Sequence, residues 1–355
     1  MSLQSANSVT LGSQQRNIPH AYDQQWNLNV QYQFARNWML QVGYFGTSGT
    51  HLTTLVDANY VPVLGPGNPN SLRRFKSIFF PTTTPSIGGT PQGVTMSPLG
   101  IIDRTENVGS SNFNSMQAKV THEMGGGFTA LASWTWSKAL GDTYDLSPAG
   151  STLGYTYQNP ANLKGEYGPL ATNLSQSFVF SGLWQLPYGH GRRFGANSAP
   201  WTDAVLGGWS LDSIVSLSSG RYFTVTVNGT PSNSGQTDRA NIVGNPNAVP
   251  GGRRVAEFIN TAAFAANAPY TYGNEQRNSI LGPNYRDLDF SLSKEGTMFS
   301  VKDQPVNLQF RWDVFDAFNH PNFQLPGNVL GTTSFGKISA ADDPRQMQLA
   351  LKIIF

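Results

Sequence analysis

Hydrophobic and polar side chains alternate with a period of two along much of this chain. The last eleven residues, 345–355, show the pattern most clearly. One side of this segment carries, in order, Met347, Leu349, Leu351, Ile353 and Phe355. The other side is polar apart from Ala350 and Ile354. Successive side chains of an extended strand point to opposite faces, so the segment predicts a strand with one apolar face and one polar face.

Ten segments alternate in this way and are predicted to be strands. Eight of them form four sequential pairs, at residues 24–34 and 38–46, 115–124 and 128–137, 175–186 and 208–218, and 287–294 and 306–315. A short strand near residues 336–340 precedes the terminal one. The joint at 35–37 is only three residues long and the joint at 125–127 is all glycine, so both predict tight hairpins.

The lengths of the strands and of their connections indicate a particular kind of sheet. The predicted strands have about 9–12 residues, whereas strands of globular sheets most often have 5–6. Short joints alternate with long stretches rich in Gly, Pro, Asn, Ser and Thr, at residues 47–114, 140–174 and 227–283. Outer-membrane barrels combine short periplasmic turns with long external loops. The predicted fold class is all-β, an antiparallel up-and-down transmembrane β-barrel; a soluble sandwich with an aromatic core is the alternative.

Strand directions are assigned by counting from both ends of the chain. The terminal strand is expected to run from outside the cell to the periplasm and to end at Phe355. Counting back from it, with 336–340 taken as a strand, makes 306–315 run inward and 287–294 run outward. Counting forward makes 208–218 run outward as well. Two successive outward strands cannot occur in an up-and-down barrel, so the count predicts a missing inward strand within 221–283 and about eleven strands in total.

The same count locates the connections near the C-terminus. It places the turn at residues 342–344 outside the cell and the connection at 319–335 in the periplasm. Residues 222–227 either belong to the missing strand or extend the preceding one.

Composition narrows the class further. Charged residues make up 12% of the 355 residues and aromatic residues another 12%. No apolar run approaches the roughly 18 residues of a membrane helix, but a membrane strand needs only about 10, half of them polar. The formal net charge is +2, with no basic stripe that would favour nucleic acid. Cysteine is absent, which excludes disulfides, thiol catalysis and cysteine-ligated metal.

Six phrases of the sequence resemble, in this order, the C-terminal barrel of TonB-dependent outer-membrane receptors of the Oar-like group. They are WNLNVQYQFARNWMLQVGYFGTSGTHL, FNSMQAKVTHEMGGGFTALASWTWSKALGD, FSGLWQLPYGHGRRFG, LGGWSLDSIVSLSSGRYFTV, RDLDFSLSKE and QFRWDVFDAFNHPNF. The resemblance covers most of residues 24–355 and is strongest at 287–323 and in the ending PRQMQLALKIIF. The phrase DVFDAFNHPNF is similar to an NLFN element that lies at the periplasmic end in that family.

The resemblance implies a location, a function and partners. Such receptors have a barrel of about 22 strands around a plug, lie in the outer membrane, and import a scarce external solute with force relayed by TonB. We therefore expect an extended segment at 1–23 and a barrel portion at 24–355, with TonB acting only through a plug outside this sequence. The terminal strand resembles the signal read by the barrel-assembly machinery. The alternative is a structural or adhesive barrel that transports nothing.

Candidate chemistry is sparse, and we expect no enzyme, no cofactor and no metal site. His51 and Asp57 are the one nearby pair that suggests a hydrolase. Gly331, Gly336 and Lys337 imitate a phosphate loop, but Ile338 stands where a magnesium-binding hydroxyl belongs. The basic turn at 189–193 is expected to be solvated or to face lipid head groups.

Charged residues on the predicted polar faces are candidates for the lining of the lumen. They are Lys119, Glu123, Asp287, Asp289, Arg311 and Asp313. Asp287 and Asp289 share a face, as a pair for acid–base work would, but lumen hydration is the simpler interpretation. In a complete receptor such groups would contact the plug or line the solute path. The identity of the solute cannot be derived from these residues.

Overall fold

The architecture is seen in a computed structural model that describes residues 8–83, 94–143, 157–301 and 304–354. Within these residues the strands are, in chain order, β1 (Val9–Gln14), β2 (Tyr22–Ala35), β3 (Trp38–Asp57), β4 (Phe79–Thr83), β5 (Val94–Gly125), β6 (Phe128–Gly141), β7 (Gly168–Pro169), β8 (Gln176–Gln185), β9 (Trp209–Ser218), β10 (Tyr222–Phe223), β11 (Thr226–Val227), β12 (Asn241–Ile242), β13 (Phe264–Ala265), β14 (Ile280–Leu281), β15 (Tyr285–Val301), β16 (Gln304–Phe315), β17 (Val329–Leu330) and β18 (Gln346–Ile354). The helices are α1 (Pro69–Leu72) and α2 (Pro200–Leu206), with 3-10 turns at Leu163–Glu166 and Thr261–Ala263. No helix in the described ranges is long and apolar enough to cross a bilayer.

One large sheet contains all the long strands. Its path runs β18-β16-β15-β9-β8-β6-β5-β3-β2, and every neighbour along it is antiparallel. The short strands β1, β4 and β7 join the sides of this path, which brings the sheet to twelve strands. The sequence predicted about eleven strands in one path, whereas the described path has nine and the sheet reaches twelve only with these short additions. Within the described ranges the sheet is not closed, because β2 and β18 each have one free edge.

The strand register keeps apolar side chains on one face across the whole sheet. Trp312 of β16 lies between Leu292 and Leu349 on the neighbouring strands, and Met116 pairs with Trp136. This apolar face stays open to the surroundings, and Leu349 for instance is 70% exposed. A sheet that leaves such a face uncovered is not the layer of a soluble sandwich, in which the same residues would be buried against a second sheet.

The opposite, polar face is equally continuous. Ser291 of β15 pairs with Asp212 of β9 and Asp313 of β16, and Gln117 pairs with Thr135. Because side chains alternate along each strand, the same register that aligns the apolar rows also aligns these polar rows.

The long connections other than residues 186–208 lie at one end of the sheet, which we call the loop end. The strands at the opposite end, the turn end, are joined by residues 36–37, 126–127, 186–208 and 302–303. Strand β16 pairs directly with β18, so residues 316–345 form a single connection at the loop end.

This pairing corrects the strand directions that the sequence predicted. Residues 336–340 are not a strand, and counting them as one reversed the directions of β15 and β16. Strand β9 pairs antiparallel with β15, so no strand is missing from 221–283. The connection at 319–335, expected in the periplasm, therefore lies at the same end as the other long connections. The NLFN-like phrase at 313–323 also lies at the loop end, and its expected periplasmic position is wrong.

The cause of the error is packing within the loops. Phe335 and Ile338 are buried in a small core that the connections at the loop end build for themselves. Apolar residues that fill this core give a short alternating pattern without joining the sheet. Residues 222–227 also belong to the connections and do not extend β9, because β10 pairs with β14 and β11 pairs with β17.

Strands β3 and β5 are longer than predicted and extend well into the stretch 47–114 that was predicted to be a loop. Residues 47–57 continue β3, and they pair with residues 103–113 of β5. At about 3.3 Å per residue, a 20-residue strand reaches about 65 Å, far beyond an apolar band of about 25 Å. Beyond such a band the strand needs no apolar face, so β-branched Thr and Val residues suffice to form it.

Candidate functional site

The connections at the loop end pack into one layer over the ends of the strands. We call residues 58–78, 157–175, 219–284 and 316–345 the loop layer. Its apolar core comes from two connections, 219–284 and 316–345, and contains Phe223, Val225, Val227, Ala240, Phe258, Ile259, Ala263, Phe264, Ile280, Phe335 and Ile338. Small two-stranded sheets formed by β10 with β14, β11 with β17 and β12 with β13 support this core. The layer is therefore a folded structure and not a set of independent loops.

A buried ion pair connects this layer to strand β3. Arg73 Nη1 lies 2.6 Å from Asp57 Oδ2, and the two side chains are 4% and 0% exposed. The guanidinium also donates to Asn59 O at 2.8 Å and to Asn70 Oδ1 at 3.1 Å. Gln236, in a different connection, donates to Asp57 Oδ2 at 3.0 Å. Because each buried charge has several partners, the pair can hold two connections against one strand end.

A second buried ion pair joins the connections 157–175 and 219–284. Arg239 donates to Glu166, and both side chains are almost fully buried. Gln158 links the same connections, because its Oε1 accepts from Arg239 N at 2.7 Å and its Nε2 donates to Gly273 O at 3.0 Å. Arg277 adds a third link by donating to Gly141 O at 2.8 Å, at the end of β6.

Glu275 lies between these links and the apolar core. Its two carboxylate oxygens each accept from Val225 N at 3.0 Å, and Oε1 accepts from Ser279 Oγ at 3.1 Å. Burial raises the pKa of the Glu275 carboxyl to about 7, although these hydrogen bonds and the charge of Arg239 act in the opposite direction. The layer therefore contains a carboxyl group that changes its charge near neutral pH.

An open cleft lies where the loop layer meets the polar face of the sheet. Its volume is about 430 Å³, and its polar lining includes Ser218, Arg221, Asn284, Tyr285, Gln324 and Asp342. Ser218 and Tyr285 pair across β9 and β15 in the polar rows, so the cleft opens at the mouth of that face. Hydroxyl, amide, guanidinium and carboxylate groups in one cleft suit a polar ligand that forms several hydrogen bonds. The described residues contain no cluster of three or more His, Cys, Asp or Glu side chains that would hold a metal ion.

The structure brings some of the predicted polar-face residues together. Arg311 Nε lies 2.7 Å from Asp313 Oδ1 and 3.2 Å from Ser291 Oγ. Asp289 Oδ1 accepts from Asp316 N at 2.9 Å, so this carboxylate fixes the start of the 316–345 connection. Asp287 lies on the same face two positions away.

Lys119 and Glu123 are not joined. Both are exposed on β5, and within the described residues no ion pair links them. The predicted assembly residues Met347, Leu349, Leu351 and Ile353 lie on the apolar face of β18. Phe355 lies outside the described residues.

The candidate hydrolase pair is separated. The Asp57 carboxylate accepts hydrogen bonds from Arg73, Gln236 and backbone amides. His51 is exposed and contacts the Tyr22 ring. Six positions along an extended strand correspond to about 20 Å, so the two side chains cannot act as a dyad. The segment 331–337, which resembles a phosphate loop, lies within the loop layer. Its residue Phe335 and the adjacent Ile338 are core residues.

The ion pairs of the loop layer were not found from the sequence. Asp57 and Arg73 fall in a stretch interpreted as an exposed loop, and Gln236 lies 179 positions from Asp57. No motif of fixed spacing marks either pair.

An extended antiparallel sheet with a continuous exposed apolar face, mostly two-residue turns at one end and a folded loop layer at the other defines the class of outer-membrane β-barrel proteins. The sequence matches the family described as outer membrane beta barrel domain over residues 2–348, and the chain belongs to this family. Its place is the outer membrane, and the family match confirms the predicted fold class and location. In proteins of this class the apolar face contacts lipid and the long loops lie outside the cell, so we expect the loop end outside and the turn end in the periplasm.

Comparison with solved structures gives distant similarities. The outer membrane transporter YddB from Escherichia coli is 10% identical, with a TM-score of 0.47, over 97% of this chain and 34% of that one. A chain in the structure of the FpvAI-pyocin S2 complex is 8% identical, with a TM-score of 0.40, over 94% and 28% of the two chains. This chain thus spans about a third of the length of each of these structures. No curated protein matches the sequence.

Proposed function

We propose that this chain is the C-terminal barrel portion of an Oar-like TonB-dependent receptor, which imports an external solute across the outer membrane. The proposal rests on the six phrases of the sequence that resemble this group, together with membership of the outer-membrane barrel family. In this function the loop layer contributes to solute capture, and the polar face forms part of the wall of the conduit.

The observation that carries the proposal is the parity of the strand path. An up-and-down path of nine strands makes its first and last members, β2 and β18, run in the same direction. Bacterial single-chain barrels have an even number of antiparallel strands, so β2 and β18 are not expected to close on each other. The backbone N–H and C=O groups along a free strand edge find no hydrogen-bond partners in lipid, so both edges need further strands. A larger barrel with room for a plug meets this need.

The loop layer supports capture of a solute from outside. Its connections are held by buried ion pairs and by their own core, so the cleft beside Arg221 and Tyr285 has a fixed shape. A rigid polar cleft at the mouth of the polar face is suited to hold a hydrogen-bonding solute before it enters the conduit. Arg311, Asp313 and Asp289 then lie further along the same face.

The proposal also gives the terminal strand a role in assembly. The terminal strand, with Met347, Leu349, Leu351, Ile353 and Phe355 on one side, would be the segment read by the barrel-assembly machinery. We further propose that the chain is not an enzyme; the pair that suggested a hydrolase, His51 and Asp57, is held apart on β3.

The test uses the natural protein purified from outer membranes. Its intact mass and N-terminal sequence are measured, and it is then mixed with an immobilised periplasmic domain of TonB. A mature protein at least twice as long as this sequence that is retained by the TonB domain supports the proposal. A mature protein confined to this sequence, or one that a TonB domain fails to retain while retaining a known receptor from the same membranes, contradicts it.

A further inference from the structure

One connection at the periplasmic end differs from the others. Three of the four have only two residues, whereas the connection between β8 and β9 spans residues 186–208 and contains the helix α2. Proline at its first position favours the start of this helix, and its last turn is closed by the Gly207 amide, which donates to Asp203 O at 2.8 Å. Asp203 Oδ1 also accepts from His190 N at 2.5 Å, which ties the helix to the basic turn at 189–193.

Helix α2 is attached to the lipid-facing side of the sheet. Lys294 of β15 pairs with Trp209 of β9 on one side and with Phe310 of β16 on the other, in an apolar row of the sheet. Trp209 Nε1 donates to Val205 O at 2.9 Å, and Lys294 Nζ donates to Gly207 O. Both contacts join the helix to side chains that point toward lipid, so the helix lies at the periplasmic margin of the membrane-facing surface.

The space between helix and sheet is an open cleft with a volume of about 830 Å³. Its apolar lining includes Pro200, Ala204, Leu308 and Phe310, and its polar lining includes His190, Asp203, Lys294 and Glu295. The Lys294 ammonium lies over the Trp209 ring, 5.5 Å from its centroid. The cleft therefore combines apolar side chains, which suit the first acyl carbons of a lipid, with a cation that suits its head group and two carboxylates beside it.

The outer side of this connection carries exposed apolar residues. Trp201 is 73% exposed, and Phe194, Val205 and Leu206 are also exposed, while no residue of α2 is buried. Such side chains would be unfavourable in water, but they belong to a connection that contacts the lipid-facing Trp209 and Lys294. Tryptophan and phenylalanine at this level are typical of the membrane interface.

The same connection carries positive charge. Arg192 and Arg193 are exposed, with the Arg193 guanidinium 5.4 Å from the centroid of the Phe194 ring and Arg192 held by Gln185 Oε1 at 3.3 Å. Within residues 186–208 the one acidic side chain, Asp203, is turned toward the backbone of His190. Cations beside exposed aromatic rings complement the phosphates of a lipid surface.

We propose that residues 186–208, together with Lys294, form an interfacial anchor that binds anionic phospholipid of the periplasmic leaflet. Trp201 and Val205 enter the apolar margin of the leaflet, and Arg192, Arg193 and Lys294 contact phosphate. The anchor fixes the depth and tilt of this part of the barrel in the membrane. It depends on the membrane orientation of the sheet and is independent of the solute and of TonB.

The experiment measures lipid contact at the anchor directly. Residues 1–355 contain no cysteine, so Trp201→Cys provides the one attachment point within this sequence for an environment-sensitive fluorophore, once any cysteine elsewhere in the natural protein has been replaced by Ser. The labelled protein, at its full natural length and folded in neutral detergent micelles, is titrated with spin-labelled phosphatidylglycerol or spin-labelled phosphatidylcholine. Retention of the heat-modifiable, folded form on a gel shows that each variant has folded.

The proposal predicts that phosphatidylglycerol quenches the fluorophore at lower concentration than phosphatidylcholine does. Replacing Arg192 and Arg193 by Gln should weaken the apparent affinity for phosphatidylglycerol by roughly fivefold for each arginine near the surface. The matched control replaces Arg253 and Arg254 by Gln, because this adjacent arginine pair lies in the external loop layer. The control should leave the lipid preference unchanged.

Three results would overturn the proposal. One is equal quenching by both lipids, and another is equal loss of preference in the two double variants. The third is a fluorophore that no lipid quenches but that a periplasmic protein extract protects from aqueous iodide, which would identify a protein partner instead.

Discussion

Arg73 and Asp57 form a fully buried ion pair that joins the loop layer to the end of strand β3, with 2.6 Å between Nη1 and Oδ2. Gln236 reaches the same carboxylate from a connection far along the chain. The pair thus fixes two external connections to one strand, and its removal should loosen both at once.

Asp57→Asn should lower the free energy of local opening of the loop layer by about 3–5 kcal/mol, because Arg73 would remain buried without its counter-charge. Hydrogen exchange at the backbone amides of residues 58–75 and 232–238 measures this change. The control is Glu257→Gln, which removes the largely exposed pair with Arg254 and should change opening by less than about 1 kcal/mol. Equal exchange rates in both variants would show that the buried pair does not hold the layer.

The Glu275 carboxyl predicts a pH dependence of stability. Burial raises its pKa from 4.5 to about 7, so the folded state binds more protons than the unfolded state between these values. The contribution of this group is therefore fully present below pH 4.5 and is lost as the pH rises through 7, by about 3 kcal/mol in total. The difference in unfolding free energy between the natural chain and Glu275→Gln, measured at several pH values, should follow this curve. A difference that is constant with pH would contradict it.

The core of the loop layer can be tested with a truncation. Ile259 is fully buried, so Ile259→Ala should destabilise the layer by about 2–5 kcal/mol. Val243 lies in the same connection but is 63% exposed, and Val243→Ala should have little effect. Limited proteolysis within residues 219–284 on intact cells reports the difference. Similar cleavage of both variants would mean that these residues do not form a packed core.

The two faces of the terminal strand predict opposite responses to the same substitution. Leu351→Arg places a charge on the lipid-facing side and should cost about 2–4 kcal/mol near the membrane centre, with less near the interface. Gln348→Arg places it on the polar face, where its partner across the strands is Asp313, and should be tolerated. Folding yield and unfolding in urea, both in phospholipid vesicles, compare the two. A tolerated Leu351→Arg with an impaired Gln348→Arg would reverse the assignment of the faces.

The parts of the fold that the sequence predicted correctly are those where one local rule acts alone. Strands that cross the membrane must alternate, so residues such as Phe128 and Trp209 mark strand starts to within one position. The loop layer follows no such rule, because its partners are distant in sequence and its apolar residues serve a local core. Ile338 shows the consequence: an apolar residue of that core was interpreted as part of a strand, and the directions of two real strands were then reversed.

The candidate site was predicted only in outline. The polar face and its charged residues follow from alternation, and the Arg311–Asp313 contact follows from their shared face. The ion pairs of Asp57 and Glu166 depend on how three connections fold over one another, which no spacing in the sequence records.

The sidedness of the connections can be measured by cysteine labelling, because residues 1–355 contain no cysteine. Phe318, which is 79% exposed in the connection between β16 and β18, and Arg193, in the connection between β8 and β9, are each replaced by Cys. Intact cells are treated with a maleimide reagent too large to cross the outer membrane. We expect labelling at position 318 in intact cells and at position 193 only after the outer membrane is permeabilised. Labelling at position 193 in intact cells, with position 318 protected, would contradict it.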